Sequence, residues 1–200
     1  MNKLIEEMKK YAVEYDIPIM QKEGLAFFQR LIIENHIKSI LEIGSAIGYS
    51  AIQLARLDPD IHIVTIERDD ERYMKAVENI ERSGLKKQVT LIHGDALEMD
   101  IDGKFDCIFI DAAKAQYIRF FEKYEKLLND DGVIVSDNLS FHGYVEHPER
   151  EMSRNLRGLV RKIKNYIVYL ENNENYDTSF INEGDGLAIS VNVKGKCHLL

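Results

Sequence analysis

The sequence predicts an α/β protein built on a doubly wound, mainly parallel sheet with helices on both faces. Three observations carry that prediction. Short apolar runs alternate with amphipathic stretches, the pattern of strands buried on both faces and joined by crossover helices. The first run, residues 39–43, leads through Gly44 and Gly48 into a helical stretch, a turn whose backbone N–H groups point at a ligand. Five successive runs end on acidic or amide side chains, at the edge where doubly wound sheets bind their ligands.

Two helices come first, marked by Leu4, Ile5, Met8, Ala12 and Tyr15 and, after the break at Pro18, by Leu25, Phe28, Leu31 and Ile32. Strand one is Ser39–Ile43. A second strand is expected over 61–66, ending in Glu67, with a helix over 73–83 stopped by Gly84. Residues 89–93, 105–110 and 132–136 read as strands three to five, with a helix over 116–128 between the last two. A long helix follows, carried by Leu156, Leu159, Val160, Ile163, Ile167 and Leu170. Two strands, 176–181 and 186–193, flank the hairpin signal Gly184-Asp185-Gly186 and bring the expected sheet to seven.

Composition narrows the function. Two hundred residues at 45% apolar content suit one continuous domain over 1–200, and no repeat or linker divides it. No apolar run is long enough to span a membrane, and residues 1–10 are too charged for a secretory signal. A cytoplasmic protein is expected. Cys107 and Cys197 form no metal or disulfide pattern. A net charge of -8 argues against a nonspecific nucleic-acid coat, although a local basic stripe remains compatible with it.

The chemistry gathers at the strand ends. The Gly44/Gly48 spacing, with Glu42 two residues before the first glycine, lacks the Gly-x-Gly pair of a dinucleotide site. That weighs against a nicotinamide- or flavin-dependent oxidoreductase. A carboxylate at Glu67 can accept from both hydroxyls of a ribose, and Asp95 from an adenine amino group. Asp111, Asp137 and Asn138 are short oxygen ligands from neighbouring strand ends, the donors a hard cation such as Mg2+ prefers, with positions left for water or substrate. Lys114 can reach the same pocket as a general base, or be a solvated lysine that starts a helix.

LEIGSAIGYSA from Leu41, VTIE ending at Glu67, FDCIFIDAAKAQY from Phe105, DGVIVSDN ending at Asn138 and GDGLAIS from Gly184 resemble the successive motifs of the metal-dependent O-methyltransferases, the catechol and caffeoyl-CoA type. The likeness covers nearly the whole chain. It implies a Rossmann-like methyltransferase fold closed by the antiparallel hairpin, with S-adenosylmethionine and Mg2+ or another divalent cation as cofactors. It further implies that Asp111, Asp137 and Asn138 bind the cation and that Lys114 is the base. Glu42, Gly44, Gly48, Ser50, Glu67, Asp95, Ala96 and Asp111 would serve the cofactor, and Met20 would sit in the segment folded over it. The N-terminal helices, residues 1–36, would cover the cofactor and supply the contact of a homodimer. Without the cation triad, a non-catalytic cofactor-binding module would be the competing class.

The acceptor should carry two adjacent oxygens, as a catechol does. A 5-hydroxyuridine also qualifies through its 5-hydroxyl and 4-carbonyl, and the chain most resembles the bacterial enzymes that methylate it at the wobble position of the tRNA anticodon loop. Arg150, Arg154, Arg157 and Arg161 recur at helical spacing, with Lys162 and Lys164 beside them. They make either a phosphate grip or a solvated helix face. Phe141, His142 and Tyr144 would stack on a splayed base or wall a catechol pocket.

Overall fold

A computed structural model describes residues 1–147 and 149–194; Pro148 and Cys197 lie outside the described residues. The seven strands are β1 Ser39–Ile43, β2 His62–Glu67, β3 Val89–His93, β4 Phe105–Ile110, β5 Leu128–Asp137, β6 Tyr176–Ile181 and β7 Leu187–Asn192. They lie in the order β3-β2-β1-β4-β5-β7-β6. Strands β1 to β5 pair in parallel, whereas β7 runs antiparallel to both β5 and β6. The chain thus builds outward from β1 to β3 and then crosses back to β4 on the other side of β1. That reversal opens a crevice beyond the carboxyl ends of β1 and β4.

Period-two alternation sorts the apolar side chains into two cores. Ile40, Cys107, Phe109, Val133 and Val135 face α1 (Asn2–Glu14), α2 (Lys22–Glu34) and α3 (Tyr49–Ala55). Leu41, Ile43, Ile108, Ile110 and Ile134 face α5 (Tyr117–Tyr124) and α6 (Arg154–Glu171). Phe28, Phe109, Phe121 and Tyr166 are fully buried, and truncating any one to alanine would cost about 3–5 kcal/mol. Among the described residues no helix is long and apolar enough to cross a membrane.

The larger differences from the expected boundaries each have a local reason. α4 (Asp70–Ser83) starts three residues before the predicted helix because Asp69 caps it, accepting from the Arg72 amide at 2.9 Å, and its first turn carries Asp70 and Glu71. Capping chemistry, rather than apolar periodicity, sets that end. The helix expected to run to Leu128 ends at Tyr124 and tightens into a 3-10 turn over Glu125–Leu127. β5 therefore begins at Leu128, with a register irregularity opposite residues 105–107. Arg150 lies outside α6, which starts at Arg154 behind the Ser153 cap.

Candidate active site

The crevice is a cleft of about 220 Å3, partly open to solvent, between the ends of β1, β2, β3 and β4. Its floor is the turn after β1. Gly44 has φ +99°, and a Cβ there would be driven into the Asp111 carbonyl, so only glycine lets the two strand ends close up. Gly44 and Ser45 donate their amides to the Ile66 carbonyl at 3.0 and 3.1 Å. The Ser45 hydroxyl is buried in this turn without a partner.

Glu67 ends β2 as expected and is fixed by three backbone amides, those of Ala46 (2.7 Å), Arg68 and Asp69 (2.9 Å each). A carboxylate gripped this way is pre-aimed, with lone pairs left for a ligand hydroxyl. Asp95 and Ala96 line the cleft after β3. One Asp95 oxygen accepts from the Leu97 amide at 2.8 Å and the other lies 3.5 Å from Arg68. Arg68, Arg72, Pro18 and Phe120 complete the walls. None of these four was singled out from the sequence; the position of Arg68, just past a strand-end carboxylate, was the available signal.

Four expected cofactor residues lie behind the cleft rather than on it. Glu42 is fully buried and accepts hydrogen bonds from Ser50 and Thr65. Burial pushes its carboxyl up to about 7, against the pull of those two hydroxyls. Ser50 is occupied with Glu42, and Gly48 packs against Ala76 and Ile80. Met20 is 4% exposed and packs in the core, within 3.7 Å of where a Gly24 Cβ would sit, so Pro18 is the cleft residue of that segment. An apolar side chain beside a helix glycine buries more surface inward than it would toward a polar cleft.

At the other end of the cleft the carboxylates converge. Ile110 of β4 pairs with Ser136 of β5, so Asp111 and Asp137 follow on adjacent strands. Desolvation raises both carboxyls; Asp111 raises Asp137 further, and Lys114 pulls both down. Asn138 takes the left-handed conformation (φ 66°), and its amide donates to an Asp137 oxygen at 2.7 Å. Its side-chain Oδ1 is buried without a partner. Two desolvated carboxylates on adjacent strand ends, next to an amide oxygen without a hydrogen-bond partner, have the oxygen chemistry that a hard divalent cation takes. Among the described residues no group of three His, Cys, Asp or Glu is placed to hold a metal ion; the two aspartates and one asparagine are a donor set of different composition.

Lys114 stands in a 3-10 turn (Lys114–Gln116) leading into α5. Its ammonium lies 3.9 Å from Asp111 Oδ1 and donates to the Tyr117 hydroxyl at 3.2 Å; its side chain is 12% exposed. Across the turn, Arg154, Arg157, Arg161 and Lys162 line a shallow groove that reaches Ala115. Arg150 is not among them, because its guanidinium binds the His142 carbonyl at 2.9 Å and lies over the Tyr144 ring. The loop carrying Phe141 and His142 is clipped to the β6–β7 hairpin by Leu139 N–H to Gly186 and Ser140 N–H to Asp185, at 3.0 and 2.7 Å.

A family model described as O-methyltransferase matches residues 1–193. The chain belongs to the O-methyltransferase family. Within it, a crystal structure of a Staphylococcus aureus protein, described as a candidate caffeoyl-CoA O-methyltransferase, superposes with TM-score 0.90 at 41% identity, covering 94% of this chain and 91% of that one. A Bacillus cereus O-methyltransferase in complex with SAH (S-adenosylhomocysteine) superposes with TM-score 0.78 at 27% identity, over 95% of this chain and 90% of that one. A flavonoid 3',5'-methyltransferase of Vitis vinifera is 29% identical over 194 residues, 92% of this chain and 81% of its own length. The seven-stranded sheet with its antiparallel end is the architecture these O-methyltransferases share with this chain.

Proposed function

We propose that this family member transfers the methyl group of S-adenosylmethionine to one of two adjacent oxygens on a small phenolic acceptor, with Mg2+ or a similar divalent cation at the carboxylate corner. The observation that carries the reading is the convergence of Asp111, Asp137 and the orphaned Asn138 oxygen beside Lys114, at the mouth of a cleft whose far end holds a pre-aimed Glu67. The named activities and the SAH ligand of the relatives support the cofactor and the acceptor class.

When bound, S-adenosylmethionine would supply an electrophilic methyl, and a divalent cation held by Asp111, Asp137 and Asn138 would supply Lewis acidity toward the acceptor. Glu67 accepts from the ribose hydroxyls, and Asp95 and Ala96 border the base. Asp111, Asp137 and Asn138 hold the cation. Lys114 takes the acceptor proton at its Nζ, within reach of Asp111. Fixing nucleophile and methyl in line supplies much of the acceleration, since correct orientation is worth about 7–11 kcal/mol in favourable cases.

Methylation of a catechol with and without excess chelator tests this. Asp137→Ala should abolish cation-dependent turnover and leave SAH binding within a few-fold; undiminished activity in chelator would remove the cation from the reaction.

A second reading, transfer to 5-hydroxyuridine at the wobble position of tRNA, is favoured by the groove of Arg154, Arg157, Arg161 and Lys162 beside the Lys114 turn. Phosphate contacts by such side chains position a nucleic acid without reading its sequence. Replacing Arg154 and Arg157 by alanine should then weaken turnover of 5-hydroxyuridine-bearing tRNA and flatten its salt dependence, with catechol turnover unchanged.

A further inference from the structure

Behind Lys114 lies a buried hydroxyl that the reaction as outlined leaves unused. Tyr117 is 1% exposed, and its ring meets that of Tyr166 edge-on, 5.2 Å between centroids. Its hydroxyl donates to the main-chain carbonyl of Asp137 at 3.0 Å and accepts from Lys114 Nζ at 3.2 Å. The single phenolic proton is therefore committed to Asp137, and the oxygen is left to receive an N–H from the lysine.

We propose that Tyr117 is the positioning residue of the transfer, its hydroxyl tethering the Lys114 amine to the end of β5 so that the base and the Asp137–Asn138 corner form one rigid unit. The proposal rests on the reading of Lys114 as the base. A neutral lysine amine has two N–H bonds and one lone pair. With one N–H pinned to Tyr117, behind the turn, and Asp111 flanking the amine at 3.9 Å, rotation about the Cε–Nζ bond is restricted. The lone pair is thereby kept toward the cleft, where the acceptor proton arrives. The tether also ties two separately built elements, the turn before α5 and the end of β5, through one atom. A misplacement of about 1 Å in such an arrangement costs up to about a hundredfold in rate.

The test compares Tyr117→Phe with Tyr166→Phe in the full chain. Tyr166 is the control because it also carries a buried hydroxyl, 2.7 Å from Ser136 Oγ, and does not touch Lys114. Two readouts are taken: the acetylation rate of Lys114 by isotope-labelled acetic anhydride, resolved by peptide mass spectrometry, and steady-state methyl transfer. Tyr117→Phe is expected to change the Lys114 acetylation rate at least threefold and to lower kcat ten- to a hundredfold at unchanged KM for cofactor and acceptor. Tyr166→Phe should leave both as in the parent. An unchanged acetylation rate in Tyr117→Phe overturns the proposal whatever the activity, as does an equal fall in kcat in both variants. If the parent transfers no methyl to catechol or tRNA, the proposed function fails by itself, and acetylation alone then decides whether Tyr117 holds Lys114.

Discussion

The most discriminating single substitution is Glu42→Gln. Glu42 sits in the sheet with no solvent exposure, hydrogen-bonded by Ser50 and Thr65, and burial lifts its carboxyl from 4.5 to about 7. A buried acid with a raised folded-state value binds its proton more tightly folded than unfolded. Stability is therefore greatest below the unfolded value and falls as pH rises from about 4.5 to about 7, levelling off above. A gap of that width corresponds to about 3 kcal/mol lost between the acid and alkaline ends. Glutamine copies the protonated acid: its carbonyl accepts from one hydroxyl and its NH2 donates to the other, since both hydroxyls can rotate. The variant should match the parent near pH 5 and exceed it at pH 8. For a domain of this size each kcal/mol moves Tm by about 2–4 °C, so the gap should open to roughly 6–12 °C. Thermal unfolding followed by circular dichroism in a pH series reads this, and the other titrating groups cancel between the two proteins. Melting curves that stay parallel from pH 5 to pH 8 would refute the assignment of an unrelieved buried charge to Glu42.

Other perturbations act on the same crevice. Gly44→Ala combines a left-handed backbone (φ +99°) with a Cβ aimed at the Asp111 carbonyl; strain of that kind costs about 1–3 kcal/mol before the clash is counted, and SAH affinity by calorimetry should drop at least tenfold. Because burial raises the Asp111 and Asp137 carboxyls and Asp111 raises Asp137 further, protons compete with the cation, so Mg2+ affinity should rise between pH 6.5 and 8.5. Flat affinity over that range would place the cation elsewhere. Asp69→Ala should destabilise the domain by about 1 kcal/mol in urea unfolding, because it removes the acceptor for the Arg72 amide at the start of α4.

Much of the fold could be read from the chain because its strands are buried on both faces and so stand out as apolar runs, and because the hairpin glycines punctuate the end. Asp111, Asp137 and Asn138 were legible by the same logic, as the next residues along adjacent strands. What escaped were features set by neighbours in space. Nothing in the order of residues says that Ser50 and Thr65 enclose Glu42, that Gly24 draws Met20 inward, or that Arg150 turns back onto Tyr144. Tyr117 was visible as a letter in a motif, but its role depends on reaching the Asp137 carbonyl from twenty residues away. The start of α4 was missed because its first turn is polar and its signal is a cap.

The reversed strand at the end of the sheet makes the Asp137–Asn138 corner depend on the far end of the chain. β5 is flanked by β4 on one side and β7 on the other, and the residues just past Asn138 are fastened to Asp185 and Gly186. The partner for the outer side of β5 is the last strand of the sheet to be synthesised. The outer edge of β5 and the loop past Asn138 thus take their partners from residues roughly fifty positions downstream.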